Sequence, residues 1–295
     1  MSDDTRGALT VEEEEYRLKL LWNGRILLGY NKGYLTYGDF YKSKPDIHPV
    51  YSPSGRPLTT TAAHRYNHHR SLWIGHAQVN GVNVFHDNNP QRPNQGHIAL
   101  ESTNVEIGTD GATVTLRTRN RWIEHDGQPL LTERRDLTVR AAVHGGQAHA
   151  IDVTSEVIAS EGPVTLAQDK HAYLCVRVAD SMDEEDGGQL LNSNGQTGEA
   201  GCMDQIAAWC DYSGQVAGSP VGVTIMHHPA NPPTAFFARA YGALFSNLAL
   251  LAPYHIPAGE RLAQRWRVLC HEGDAHTFDL GAAYRDYLAV APQQE

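Results

Sequence analysis

The stretch YNHHRSLWIGH, Tyr66 to His76, places two adjacent histidines, an arginine, a tryptophan and a further histidine in a segment that otherwise reads as a buried strand. Imidazole exchanges protons near neutral pH, and in its neutral form it is the commonest metal ligand. On a strand, alternation sends His68, Arg70, Leu72, Ile74 and His76 to one face and His69, Ser71, Trp73 and Gly75 to the other. That reading sets His69 beside Trp73 at the mouth of a sheet. There the small Ser71 and Gly75 leave room for a ligand, and an indole can stack on the apolar side of a sugar ring. His68 and His76 then cap a mostly apolar face by hydrogen bonding to backbone. A single histidine is more often such a satisfied core residue than a functional one. The cluster reads differently, because burying Arg70 among imidazoles is costly without an anionic or strongly hydrogen-bonding partner.

A second constellation is QDKHAYLCVRVAD, in which Asp169, Lys170 and His171 stand where an apolar run begins. An acid, an amine and an imidazole in one place could supply general acid and base, although an exposed turn explains them equally well. The third is NSNGQTGEAG with MHHPANPP. Asn192, Asn194 and Glu199 carry the donors and acceptors that recognise hydroxyl groups, and His228 and Asn231 border a rigid proline-containing loop end. Turn chemistry accounts for much of this segment too. Asn80 and His86, in the stretch after His76, join Arg70, Trp73 and His76 as candidate substrate-binding residues. His68, His69, Asp169, Lys170 and His171 are the candidate catalytic set.

Zinc spacings such as HExxH are absent. A metal centre would therefore gather ligands from distant segments, among His68, His69, His76, His86 and His171, with zinc, copper, iron or nickel all suited to imidazole. The sequence alone specifies no metal and no organic cofactor.

The elements that must position these groups are strands. ATVTLRT, LTVRAAV and AIDVTSEV alternate apolar and polar residues, as half-buried antiparallel strands do. HDGQP and HGGQ between them suit hairpin turns, so an antiparallel meander is expected from about Gly96 to Val178. RILLGY and YLTYGDFY also read as strands, followed by a long proline-containing loop, KPDIHPVYSPSGRPLTTT. After Asp180 the strands read as shorter. Only TFDLGAAYRDYLA has helical spacing, with Leu280, Ala283, Tyr284 and Tyr287 on one side.

With 295 residues and 41% hydrophobic content the chain can bury a large core, and residues 1–295 are expected to form one β-sandwich domain with a flexible acidic N-terminus over residues 1–12. The net charge of -10 argues against a nucleic-acid partner. No run of apolar residues is long enough for a membrane span, and the acidic start lacks the form of a secretory signal, so the cytoplasm is the expected location. Cys175, Cys202, Cys210 and Cys270 are scattered and are expected to be reduced, buried thiols.

The ordered motifs HPVYSPSGRPLT, HHRSLWIGHAQVNGVNVF, VRVADSM, NSNGQTGE, WCDYSG, HHPANPP and RVLCHEGDA resemble a bacterial family known as PmoA-like, or methane-oxygenase-like, over about Gly24 to Tyr287. The resemblance implies an all-β fold, a large antiparallel sandwich of the aldose mutarotase type with a short C-terminal helix, and a gene setting beside sugar-active oxidoreductases. Arg65-Tyr66-Asn67 stands where relatives carry Asp-His-Pro, and His171 stands where they carry an acid. A membrane methane monooxygenase subunit is not expected, for want of a spanning segment.

Three readings follow. The first is an enzyme using His and Asp acid-base chemistry on a sugar or oxidised sugar, as an epimerase, isomerase, lyase or hydrolase. The second is a noncatalytic sugar-binding module, which requires an open groove with Trp73 exposed. The third is a metal-dependent enzyme with a histidine-rich site. A small carbohydrate is the expected ligand, and the sequence leaves the oligomeric state open.

Overall fold

In the computed structural model, which describes residues 7–37, 39–63, 65–86 and 94–290, the alternating segments pair into two large sheets. The first has nine strands, in the order Leu9–Glu13, Arg17–Trp22, Arg25–Asn31, Asp46–Val50, Leu72–His76, Ala172–Arg177, Ala243–Asn247, Ala235–Arg239, Gln205–Ile206. The second has eight, in the order Gln189–Asn192, Trp209–Val216, Ser219–His227, Arg261–Glu272, Ala148–Ile158, Pro129–Val143, Thr113–Ile123, His97–Ile107. The ladders are antiparallel, as in the pairing of Ala172–Arg177 with Leu72–His76 and with Ala243–Asn247.

Alternation then builds the core. Leu72, Ile74, Leu174, Val176 and Leu244 of the first sheet join Val114, Leu116, Leu137, Val153 and Val268 of the second in one buried cluster. This is face-to-face packing of two half-apolar sheets, so the protein is an all-β sandwich. The short C-terminal helix, Leu280–Val290, buries Leu280, Ala283 and Tyr287 against Ala148, Ala150, Met226 and Leu269 on the other face of the second sheet. All four cysteines are buried free thiols. Among the described residues no helix is long and apolar enough to cross a membrane.

Four sequence expectations need adjustment. The meander is continuous only from His97 to Ile158, after which the chain crosses over and Ala172–Arg177 joins the first sheet. The proline-containing loop holds a strand, Asp46–Val50, because Ile47 and Val50 find the core. Most later strands are short, as expected, but Ser219–His227 and Arg261–Glu272 run to 9 and 12 residues. The flexible terminus is corrected from Leu9 onward, since Leu9–Glu13 pairs with Arg17–Trp22 and buries Leu9; residues 1–6 lie outside the described ones.

One ion pair lies wholly inside the sandwich. Alternation puts Glu133 and Arg135 on the same inward face, 1% and 3% exposed. Arg135 donates from Nε and Nη2 to the two Glu133 oxygens at 2.9 and 2.7 Å, and Ser155 Oγ and Trp122 Nε1 add donors at 2.6 and 2.9 Å. Burial alone would raise the Glu133 carboxyl, but Arg135 and these hydrogen bonds hold it below its ordinary value. Glu133→Ala leaves Arg135 buried without its counter-charge and is expected to cost about 3 to 5 kcal/mol. Urea denaturation checks this: the Glu133→Ala, Arg135→Met double variant should recover most of the loss, and a single variant with a wild-type midpoint would contradict it.

Candidate metal centre

The outward face of the first sheet carries a second buried cluster. In strand register Trp73 stands beside Cys175, Cys175 beside Phe245 and Phe245 beside Phe237. These residues alternate with the core-facing ones, so they point away from the sandwich interior and pack with Phe85. The Trp73 ring lies 5.6 Å from that of Phe85 and 5.4 Å from that of Phe245.

Three half-buried imidazoles converge beside this aromatic layer. His68 comes from the turn before Leu72–His76, His86 from the segment after it, and His171 from the residue before Ala172–Arg177. Strand pairing brings them together, because Ala172 is in register with His76 and the Ala77 N–H donates to the His171 carbonyl at 3.0 Å. The His68 and His86 rings are 4.3 Å apart, those of His86 and His171 4.6 Å, and those of His68 and His171 6.3 Å. One ligand atom from each lies within 4.8 Å of the others.

The His86 and His171 arms are held by local hydrogen bonds. Asn83 Oδ1 accepts from the backbone N–H groups of Phe85 and His86, both at 3.0 Å, an Asx turn that aims His86. Asp169 Oδ1 accepts both the His171 backbone N–H and His171 Nδ1, each at 2.8 Å. A carboxylate only accepts, so Nδ1 carries a proton and Nε2 is the nitrogen left to act as a ligand. Asp169 is itself anchored by Asn247 Nδ2, which donates to its carbonyl at 2.7 Å. Burial opposes charge on the Asp169 carboxyl, yet the hydrogen bonds from His171 prevail and hold it below its usual value. Burial, then the neighbouring His68, His171 and Lys44, push His86 down to about 3, so it is a neutral donor at physiological pH. A carboxylate behind a histidine, with three imidazoles in reach of one point, matches the donor set of a three-histidine transition-metal site.

A family of unknown function, DUF6807, matches residues 17–285. The chain belongs to this family. A comparison with curated proteins gives no significant match. Among solved structures the DUF6807 chain is similar to an α-galactosidase from Lactobacillus brevis, with 7% identity and a TM-score of 0.40 over 93% of this chain. That alignment covers 41% of the neighbour, so the chain spans less than half its length. The family description carries no activity, and the methane-oxygenase label has no support in it.

For the paired histidines in this DUF6807 member, His69 does lie beside Trp73, but the face assignment of His68 is corrected, since it joins His86 beside Phe85. The strand begins only at Leu72, so alternation does not extend back to His68 and His69. His69 is 2% exposed and packed against Tyr66 at 5.0 Å, Trp73 at 5.6 Å and Phe245 at 5.6 Å. Burial, with His68 and Arg177, pushes its pKa down to about 2. Trp73, expected at a mouth, is 2% exposed, which removes the open stacking face a sugar-binding module requires. The half-exposed rings at the rim are instead Tyr66 and Tyr241, stacked at 4.3 Å.

The other candidates have different partners. Arg70 is buried and its charge reaches His48, while His76 is buried with Nδ1 accepting the Gln78 N–H at 2.9 Å. Lys170 is exposed between Asp169 and His171. Asn80 ties its loop to Pro163 and Thr165. Asn192 shapes a turn by accepting from Asn194 and Gln196, and the Asn194 side chain donates to the Ile206 carbonyl. Glu199 pairs with Arg239 at 3.2 Å, and that guanidinium lies over Tyr241, so Glu199 reaches the rim indirectly. His228 accepts from the Ala230 N–H, and Asn231 bonds both backbone groups of Arg265. These last residues are turn and loop fasteners. Sequence reasoning missed Asn83 and Tyr241; the Asn83 side of the site is visible in VNVFH only once His86 is known to be a donor.

Proposed function

We propose that this protein is a metal-dependent enzyme acting on a sugar or oxidised sugar, with His68, His86 and His171 as the ligands of one transition-metal dication. The observation that carries this reading is the convergence of three imidazole donor atoms within 4.8 Å, one of them backed by a carboxylate. When bound, such an ion supplies Lewis acidity toward a substrate oxygen, or a bound water of lowered pKa. The chain's own residues do the rest. Asp169 orients His171, and Asn83 orients the His86 segment through its backbone. Imidazole ligates in its neutral form, so three such ligands would leave the charge of the ion undiminished for the substrate. Trp73, Phe85 and Phe245 form a dry layer behind the centre, and the half-exposed Tyr66 and Tyr241 offer ring surface for the apolar side of a sugar. The sugar class rests on that surface and on the resemblance of the ordered motifs to a family with a sugar-active gene setting.

A second reading rests on the 2.8 Å contact between Asp169 Oδ1 and His171 Nδ1. A carboxylate-oriented imidazole is a general base in its own right, and it could remove a proton from a sugar without a metal. Elemental analysis of protein purified without an affinity tag, combined with NMR assays on keto-sugars and glycosides, separates the two. Stoichiometric metal and turnover lost to a chelator and restored by metal are expected. Substoichiometric metal with chelator-insensitive turnover would replace the metal reading by the Asp169–His171 base.

A further inference from the structure

Lys44 is 2% exposed, and its Nζ donates to the Phe85 carbonyl at 2.6 Å. Phe85 immediately precedes His86, so this bond pins the peptide unit that leads into the third imidazole. The opposite side of the same segment rests on Gly75. A Cβ there would stand 2.9 Å from the Val84 carbonyl oxygen and 3.4 Å from Phe85 Cα, so only the absence of a side chain lets residues 84–85 lie directly on the strand. The Val84 N–H, bonded to the His76 carbonyl at 3.0 Å, completes the attachment.

A buried ammonium costs desolvation unless it is hydrogen-bonded, and here the Phe85 carbonyl accepts from it. Methionine has nearly the reach of lysine and would sit well beside Phe85 and Cys175. What methionine cannot do is hold the Phe85 carbonyl.

We infer that Lys44 and Gly75 are positioning residues for His86, the ammonium gripping the peptide before it and the bare strand position letting its segment seat. This rests on the three-histidine reading above and adds to it two residues that touch no metal. Outer-shell partners that orient a ligand typically change metal affinity by about 10- to 100-fold when removed.

The test uses metal-stripped, tag-free full-length protein, titrated with Zn²⁺ against a chromophoric chelator and with Co²⁺ for its visible absorption bands. Lys44→Met and Gly75→Ala are each expected to weaken Zn²⁺ binding by about 10- to 100-fold and to shift the Co²⁺ bands. Lys44→Arg should recover part of the affinity. Either variant, folded and binding Zn²⁺ with wild-type affinity and a wild-type Co²⁺ spectrum, overturns the inference; if one variant does not fold, the other decides. Wild-type protein that takes up neither ion overturns the three-histidine reading as well, a result distinct from variants that match a metal-binding parent.

Discussion

Metal-stripped protein with any one of His68, His86 or His171 replaced by alanine is expected to bind Zn²⁺ about 10²- to 10³-fold more weakly than the wild type. The magnitude follows from structural zinc sites, where roughly 10 to 16 kcal/mol is shared among four ligands, or about 3 kcal/mol for each. Losses of similar size are expected from the three variants because each removes one imidazole ligand from the same centre. His69→Ala is the contrast. Its ring fills a slot among Tyr66, Trp73 and Phe245, so its removal should leave Zn²⁺ affinity within about threefold and cost roughly 1 to 3 kcal/mol of stability. Isothermal titration and melting curves on the four variants give both numbers. If His69→Ala loses as much affinity as the others, the centre does not consist of His68, His86 and His171.

That contrast reverses the roles which alternation alone assigns to the pair, and the reason is local. Period-two logic holds only inside a strand. The His69 N–H donates to the Tyr66 carbonyl at 2.9 Å, and the Ala62 N–H donates to the His69 carbonyl at 2.9 Å, so the chain is still turning where the sequence reads as extended. Elsewhere the same logic succeeds, because Thr113–Ile123, Pro129–Val143 and Ala148–Ile158 are neighbours joined by short turns, and local pattern determines their pairing. The centre itself depends on a long-range choice. His171 meets His68 and His86 only because Ala172–Arg177 leaves the meander and pairs with Leu72–His76, and nothing in either segment names its partner. Asn192 and Asn231 illustrate the opposite limit: amides that suit hydroxyl recognition are equally suited to closing turns, and here they close turns. Lys44 gave no signal at all, since a lysine inside the KSKP stretch reads as exposed until the Phe85 carbonyl is placed above it.

Acid should destabilise the fold well above the range in which carboxylates titrate. His76, His149 and His227 are 0%, 3% and 7% exposed, and burial lowers each from 6.5 to about 4. Their hydrogen bonds agree with neutral rings. His76 Nδ1 accepts the Gln78 N–H and His149 Nδ1 accepts the Ala142 N–H. His227 Nδ1 donates to the Ala207 carbonyl, so its Nε2 accepts from Ser246 Oγ, which in turn accepts from Trp266 Nε1. The unfolded chain takes up these protons first, near pH 6.5, so the stability that depends on neutral rings is complete above that value. It is lost as pH falls toward about 4 and changes little from this source below it. At pH 5 each ring contributes a loss of about 2 kcal/mol, roughly 6 kcal/mol for the three, against a typical total of about 5 to 15 kcal/mol. Glu133, held below its ordinary value, adds its own loss only at lower pH. Urea midpoints measured at intervals from pH 7.5 to pH 5 should therefore fall steeply, and His149→Gln should remove no more than about a fifth of the slope, because His69 and His86, lowered to about 2 and about 3, add comparable losses in metal-free protein. A flat profile across that window would mean that these three rings accept protons in the folded state.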